Sequence, residues 1–265
     1  MTTPLLEVSS LVMRFQGITA LDSVSFTMDR GSITSLIGPN GAGKTTLFNC
    51  VTGMYTPTSG TVAFEGTDIT GEAAHLVSRH GIARTFQNLA LFGGLTVMEN
   101  LLVGAYRQGS SGLLQGAFLT PRARAEQRAA MASAAEVLDF LGMPDAANLL
   151  PGEMPYGRQK QVEFARALMQ KAQLVLLDEP MAGMSAPEKS AMTALIQRVR
   201  ERFGMSFLIV EHDIPVIMDI SDKIVVLDFG RKIAEGTPHQ VQANEAVIAA
   251  YLGTDHSAMA DATPA

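Results

Sequence analysis

A glycine-rich segment from Gly38 to Thr46 carries the clearest chemistry in this sequence. It matches the pattern G-x-x-x-x-G-K-[ST] and stands between an apolar run, Ile33–Ile37, and a helical pattern that begins at Lys44. Glycines in such a segment let successive backbone N–H groups curl around phosphate oxygens, and the start of the helix adds partial positive charge. We therefore predict a nucleotide-phosphate site formed by Gly38, Pro39, Asn40, Gly41, Ala42, Gly43, Lys44, Thr45 and Thr46. Lys44 is expected to reach the β- and γ-phosphates, and the Thr45 hydroxyl to bind Mg²⁺.

Two carboxylates, Asp178 and Glu179, directly follow the apolar run Leu174–Leu177. A buried strand that ends in this way places both groups at the carboxyl edge of its sheet, where open α/β sheets bind ligands. We predict that Asp178 holds Mg²⁺ through water and that Glu179 acts as the general base on the attacking water. A helix N-cap would explain an isolated Asp-Glu pair as well, so this prediction depends on the phosphate segment.

The elements that must position these residues follow from the apolar pattern. Residues 5–65 read as short strands joined by turns, with apolar segments at Leu5–Val8, Ser23–Met28 and Thr61–Phe64. Residues from about 88 to 168 are rich in Ala, Leu, Met, Glu and Arg, and predict a helical subdomain.

Three later apolar runs are short and do not alternate with polar residues: Leu174–Leu177, Phe207–Val210 and Ile224–Leu227. This pattern is typical of parallel strands that are buried on both faces. The last run is followed by Asp228–Arg231 and should turn back as a hairpin, whereas residues 254–265 have little to bury and are predicted to be disordered.

Composition limits the possible classes of protein. The chain has 265 residues, 47% of them hydrophobic, and a formal charge of −6, which argues against a nucleic-acid-binding protein. Its single cysteine, Cys50, cannot form an internal disulfide and is predicted to be a small buried residue. Neither a signal peptide nor an apolar run long enough to span a membrane is evident. We expect a cytoplasmic protein that meets the membrane only through a partner.

Together these motifs resemble the ABC ATPase family over about residues 5–253. The resemblance implies an α/β fold: a P-loop NTPase (RecA-like) core with an antiparallel β subdomain and an inserted α-helical subdomain. Gln87, in Arg84-Thr-Phe-Gln-Asn88, resembles the family glutamine that contacts Mg²⁺ and the attacking water. His212 resembles the histidine that contacts the γ-phosphate. Phe15 matches the aromatic position that stacks on adenine, with core packing as the alternative.

The signature segment departs from the family pattern Leu-Ser-Gly-Gly-Gln. Here it comprises Pro155, Tyr156, Gly157, Arg158 and Gln159. Pro155 replaces the serine that would touch the ATP held by the opposite subunit, and proline offers neither a hydroxyl nor an N–H. Ser185 stands at the position of another family residue, an aspartate. Both departures bear on what this subunit contributes to its partner's site, and not on its own phosphate segment.

With these departures, the signature segment resembles that of the ATPase subunits of branched-chain amino acid importers. Leu95–Asn100, Phe118–Pro121 and Ala250–Gly253 support the same resemblance. It implies ATP and Mg²⁺ as cofactors, and as partners a second ABC ATPase, two membrane permeases and, indirectly, a periplasmic substrate-binding protein. Importers for urea, amides or aromatic acids share much of the pattern, and export stays open as well.

Two other classes of function can be weighed against transport. ABC ATPases that act on DNA or ribosomes usually carry two nucleotide domains or a long coiled coil, whereas this chain has one phosphate segment and no sustained heptads. Pro155 and Ser185 would suit a nucleotide sensor that does not hydrolyse ATP. Retention of Lys44, Asp178 and Glu179 argues against that alternative.

Overall fold

The computed structural model describes residues 3–85, 90–105 and 121–252. Contacts between residues divide the chain into two compact units. The first comprises the residues up to Arg84 together with those from Gln173 onward, and the second comprises Thr85–Ala172. The predicted disordered tail, 254–265, lies outside the described residues.

The strands of the first unit form two sheets. In chain order they are β1 (Leu6–Phe15), β2 (Ile18–Met28), β3 (Ile33–Ile37), β4 (Ser59–Phe64), β5 (Thr67–Asp68), β6 (Ile82–Arg84), β7 (Leu174–Asp178), β8 (Ser206–Val210), β9 (Lys223–Asp228) and β10 (Arg231–Gly236). One sheet has the order β2-β1-β4-β5 and is antiparallel. The other has the order β10-β9-β3-β8-β7-β6, and its strands are parallel except for β10. This arrangement confirms the predicted fold class.

The parallel sheet forms the centre of the first unit. Every residue of β3, β7 and β8 is buried, as is typical of parallel strands that are covered on both faces. The three later apolar runs are parallel strands as predicted, and β9 turns back into β10 as a hairpin.

Strands β1 and β2 are longer than the sequence pattern predicts. Their pairing shifts register between Val8 and Leu11 and again near Met13, and Ser10 and Ser23 have positive φ angles of 47° and 57°. Bulges of this kind interrupt the alternation of apolar and polar residues without ending the strand. The predicted segment Ser23–Met28 is therefore only part of β2, and Leu5–Val8 covers only the start of β1, which begins at Leu6.

Helices of the first unit lie in the connections between strands and after the last strand, β10. They are α1 (Lys44–Val51), α2 (Ala74–Arg79), α6 (Ala186–Phe203), α7 (Ile214–Ile220), α8 (Pro238–Gln242) and α9 (Glu245–Leu252). Helix α1 starts directly after the glycine-rich segment and buries Leu47, Phe48, Cys50 and Val51. Burial raises the pKa of the Cys50 thiol to about 11, which agrees with its prediction as a small buried residue.

The second unit is built from α3 (Val97–Ala105), α4 (Pro121–Phe140) and α5 (Tyr156–Leu168). A small apolar core joins them, with Leu101 of α3, Leu138 of α4 and Val162 of α5 fully or almost fully buried. Among the described residues, no helix is long and apolar enough to cross a membrane.

Gly104 marks a point of close packing between α3 and α5. A Cβ atom at this position would lie 2.4 Å from the carbonyl oxygen of Arg166 and 3.2 Å from the Cβ of Met169. The two backbones can approach this closely only because Gly104 has no side chain.

Replacing Gly104 by alanine should therefore destabilise the helical unit by about 1–3 kcal/mol, the usual cost of overpacking. Gly152→Ala is the matched control, because a Cβ at Gly152 meets nothing within 4 Å, and it should change stability by less than about 0.5 kcal/mol. Urea unfolding followed by circular dichroism measures both. Equal midpoints for the two variants would contradict the close packing.

Candidate functional site

The carboxyl edge of the parallel sheet brings the predicted chemical groups together. Val210 of β8 pairs with Leu36 of β3 on one side and with Asp178 of β7 on the other. The three strands therefore end at one level, and the segments that follow them emerge side by side. The end of β7 and these segments carry the phosphate loop, the pair Asp178 and Glu179, and His212.

Steric contacts require glycine at two positions of the phosphate loop, Gly38–Thr46. Gly38 has φ 149°, and a Cβ there would lie 2.0 Å from the carbonyl oxygen of Leu227. Gly43, the N-cap of α1, has φ 101°, and a Cβ there would lie 2.6 Å from the carbonyl oxygen of Ala20. Any side chain at these two positions would push the loop away from β9 and β2.

Three backbone donors at the end of the loop have no acceptor in the described part of the chain. The first three N–H groups of α1, those of Lys44, Thr45 and Thr46, cannot bond within the helix, and no other partner for them is found. Leu47 is the first residue whose N–H bonds back, to Gly43, at 2.9 Å. The side chain of Thr45 is exposed at this helix end. Such an end attracts an anion through its N–H groups and its dipole.

Lys44 holds its ammonium group inside the loop. Its Nζ donates to the carbonyl oxygens of Gly38 at 2.6 Å and Pro39 at 2.9 Å. Burial lowers the pKa of Lys44, and the nearby carboxylates of Glu179 and Asp178 oppose that shift. An ammonium has three donors, so one can serve a phosphate oxygen while two keep the loop closed.

Glu179 and His212 form a pair beside the loop. Nε2 of His212 lies 3.2 Å from Oε1 of Glu179, and the side chains are 47% and 23% exposed, so both are accessible to a ligand. Glu179 has a φ of 48°, a strained backbone conformation for a residue other than glycine. Its N–H donates to the carbonyl oxygen of Val210 at 2.9 Å, which extends the pairing of β7 with β8 by one residue. This hydrogen bond helps to hold Glu179 in its strained conformation.

Glu211, which no sequence motif indicated, positions this pair. Its buried carboxylate accepts hydrogen bonds from the N–H of Met181 at 2.7 Å and from the N–H of His212 at 3.0 Å. One carboxylate thus joins the segment after Glu179 to the segment that carries His212. The sequence signal that could have indicated Glu211 is its position as a charged residue between an apolar strand and the candidate histidine, His212.

Phe15 lies at the end of β1, where it pairs with Ile18 of β2. Its side chain is 38% exposed, so core packing does not account for it. The ring of Tyr55 meets it edge-on with centroids 5.3 Å apart. Tyr55 was not predicted, because its proximity to Phe15 depends on how the segment after α1 folds back on β1.

Tyr251 of α9 is a third residue whose place at the site the sequence did not reveal. Its hydroxyl oxygen accepts a hydrogen bond from the N–H of Gly38, and burial raises its pKa to about 12 despite that bond. Helix α9 therefore contacts the first residue of the phosphate loop.

The predicted signature residues lie in the second unit. Pro155 is the N-cap of α5, and the helix begins at Tyr156. Gly157 is buried, Arg158 lies 3.3 Å from the carboxylate of Asp145, and Gln159 donates to the carbonyl oxygen of Met154 at 2.8 Å. At the start of α5, the N-cap residue Pro155 provides no side-chain hydrogen bond to the helix.

Two further predicted residues have different outcomes. Gln87 lies outside the described residues. Ser185 is the N-cap of α6, and the carboxylate of Glu188 accepts hydrogen bonds from its N–H at 2.9 Å and its hydroxyl at 2.6 Å. A local helix-start role is sufficient to explain this serine.

Comparisons with known proteins define the class first. The family model described as ABC transporter matches residues 21–182, which is more than half of the chain. Solved ATP-binding cassettes of ABC transporters superpose well: an ADP conformation gives a TM-score of 0.83 at 32% identity, covering 95% of this chain and 100% of that one. A nucleotide-free cassette gives 0.81 at 32% identity, covering 94% and 99%. The chain belongs to the ABC transporter ATPases.

Comparisons with individual proteins give a more specific likeness within this class. The family model described as branched-chain amino acid ATP-binding cassette transporter matches residues 231–257. The high-affinity branched-chain amino acid transport ATP-binding protein BraF of Pseudomonas aeruginosa is 44% identical over 253 residues, covering 96% of this chain and 99% of the relative. LivG of Escherichia coli, which carries the same description, is 42% identical with the same coverage.

Glu211→Gln should slow ATP hydrolysis by about ten- to a hundredfold, because small misplacements of catalytic groups have effects of this size. An amide can accept at only one of the two positions, so the N–H of Met181 or of His212 loses its partner. ADP affinity should stay nearly unchanged, because Lys44 and its loop are not touched. ATPase rates of the assembled transporter and calorimetry with ADP measure the two effects.

The matched control is Glu188→Gln, which alters a carboxylate that also accepts a backbone N–H, that of Ser185. This variant should retain its turnover. If both variants hydrolyse ATP at the unmodified rate, Glu211 does not position the site.

Proposed function

We propose that this chain is the ATP-hydrolysing subunit of an importer for branched-chain amino acids. The observation that carries the proposal is the shared edge of β3, β8 and β7, where the phosphate loop meets Glu179 and His212. The cargo is inferred from the descriptions of the relatives and from the family match at residues 231–257.

In this proposal the phosphate loop binds the phosphate chain of ATP. The free N–H groups at the start of α1 and the third donor of Lys44 stabilise its negative charge. Phe15 stacks on the adenine, and the ring of Tyr55 packs beside Phe15. Glu179 accepts a proton from the attacking water, and His212 contacts the γ-phosphate and keeps the Glu179 carboxylate in place.

The donors around the loop fit Mg²⁺. Among the described residues, no group of three or more His, Cys, Asp and Glu could hold a metal ion. Magnesium does not need such a cage, since it commonly uses one or two carboxylates together with phosphate oxygens and water. Thr45, Asp178 and Gln87 would hold it here. When bound, it neutralises charge on the phosphate oxygens.

Partners complete the proposed machine. A second ABC ATPase would supply a signature segment to the ATP bound here, and Pro155, Tyr156, Gly157, Arg158 and Gln159 would face the ATP of that partner. Because Pro155 has no hydroxyl, the contact would come from the N–H groups at the start of α5. A ligand shifts a conformational equilibrium only if it binds the two states with different affinities. The γ-phosphate, which ADP lacks, must therefore provide the difference in affinity by which ATP shifts the equilibrium and ADP does not.

Two permeases would hold the subunit at the inner face of the membrane, and a periplasmic binding protein would deliver the cargo. Transport in vesicles tests this assignment. The chain, its partner ATPase and the permeases are reconstituted, the binding protein is added, and uptake of leucine, urea and an aromatic acid is compared. We expect ATP-dependent uptake of leucine to exceed that of urea by about tenfold or more. This ratio corresponds to a free-energy difference of about 1.4 kcal/mol between the two cargoes. Uptake of urea or of the aromatic acid instead would reject branched-chain cargo.

Glu179→Gln provides the mechanistic control in the same vesicles. Loss of a general base typically slows a reaction by about 10²–10⁴-fold, so uptake and hydrolysis should stop while ATP stays bound after gel filtration. Glu72→Gln is the matched variant, because Glu72 also pairs with a histidine, His80, at 3.0 Å. Turnover by Glu179→Gln at the rate of Glu72→Gln would remove Glu179 from the base role.

A further inference from the structure

Arg84, the last residue of β6, reaches across the sheet edge to the predicted metal ligand. Its Nη2 donates to Oδ2 of Asp178 at 2.8 Å. Its Nη1 donates to Oδ1 of Asn49 at 2.6 Å, and the guanidinium lies over the ring of Phe48, 5.7 Å from the centroid. Asn49 and Phe48 belong to α1, which begins with Lys44 and Thr45. One side chain therefore connects the phosphate-loop helix to the end of β7.

Stability alone does not account for this arrangement. The side chains of Arg84 and Asp178 are only 14% and 5% exposed, and Nε of Arg84 is buried without a hydrogen-bond partner among the described residues. Replacing a buried ion pair with apolar residues is often neutral or even stabilising, and an unsatisfied buried donor adds a further cost. A charge kept in this position calls for another role.

The geometry around Asp178 indicates that role. Arg84 engages Oδ2, whereas no hydrogen bond from the described residues reaches Oδ1. The carboxylate thus has one oxygen that Arg84 holds and one that none of the described residues holds by a hydrogen bond.

We propose that Arg84 is a positioning residue, which orients the Asp178 carboxylate so that Oδ1 faces Mg²⁺ bound beside the phosphate loop. Its bond to Asn49 keeps that orientation in register with α1 and therefore with Thr45. Partners of metal-binding side chains commonly fix the ligand in this way, and their removal typically weakens metal binding about 10- to 100-fold. The inference rests on the assignment of Asp178 to Mg²⁺ in the proposed function.

The test measures ADP binding by calorimetry, in EDTA and across a titration of Mg²⁺, for Arg84→Met and Arg84→Lys. Methionine keeps the length of the side chain but removes the charge and the fork of donors, whereas lysine keeps the charge alone. Arg200→Met is the matched control, because Arg200 pairs with Asp222 at 3.1 Å, away from this site. Thermal midpoints without nucleotide monitor folding.

We expect Arg84→Met to raise the Mg²⁺ concentration needed for half-maximal Mg²⁺-dependent ADP binding by about tenfold or more, and Arg84→Lys to raise it by about threefold or more. Affinity for ADP in EDTA should change by less than about twofold in both, and Arg200→Met should behave as the unmodified chain in every measurement. This pattern supports positioning through the fork of donors.

Three results would overturn the inference. An unchanged Mg²⁺ dependence in Arg84→Met would show that Asp178 needs no such partner. An equal loss of binding with and without Mg²⁺, together with a lower thermal midpoint, would indicate a purely structural role. Tighter Mg²⁺ binding in Arg84→Met with an unchanged Arg84→Lys would mean that Arg84 acts only through its repulsive charge.

Asp178→Asn separates this inference from the proposed metal site. If this variant keeps the Mg²⁺ dependence of the unmodified chain, Asp178 is not a metal ligand, and the assignment on which the inference rests is wrong. If Asp178→Asn loses the dependence while Arg84→Met and Arg84→Lys keep it, only the inference about Arg84 fails.

Discussion

The hydrogen-bonded register of three parallel strands determines where the chemical groups of this protein lie. Val210 pairs with both Leu36 and Asp178, so β3, β8 and β7 end together. Each strand is then followed by a segment with a different chemical task. A slip of this ladder would move the phosphate loop relative to the carboxylates, and buried apolar side chains on both faces make such a slip costly. The site is therefore a consequence of sheet pairing before any ligand binds.

Charges at this edge are held by other protein groups. Lys44 bonds to two carbonyl oxygens of its own loop, Asp178 pairs with Arg84, and Glu211 accepts two backbone N–H groups. In a low-dielectric interior an unpaired charge is costly, and a paired one is firmly oriented. Groups that are oriented before the ligand arrives need little reorganisation during the reaction. The strained φ angle of Glu179 belongs to the same arrangement, because the ladder imposes it.

Much of this arrangement could be predicted from the sequence. The spacing from Gly38 to Thr46 and the apolar runs before it and before Asp178 define both the strands and the chemistry, because each signal is local. Two kinds of feature were harder to predict from the sequence. Bulges near Ser10 and Ser23 extend β1 and β2 beyond their alternating segments. The contributions of Arg84, Glu211 and Tyr251 depend on partners far away along the chain, such as Asp178, Met181 and Gly38, and no spacing rule reports those contacts.

Binding of a slowly hydrolysed ATP analogue is the most direct measurement of the central claim, that the amides of the phosphate loop and Lys44 enclose the phosphate chain. Calorimetry is run with the unmodified protein and with Lys44→Ala. We predict saturable binding at one site per chain, lost in the variant even though its thermal midpoint is retained. No saturable heat with the unmodified protein, or equal affinity in Lys44→Ala, would contradict the account.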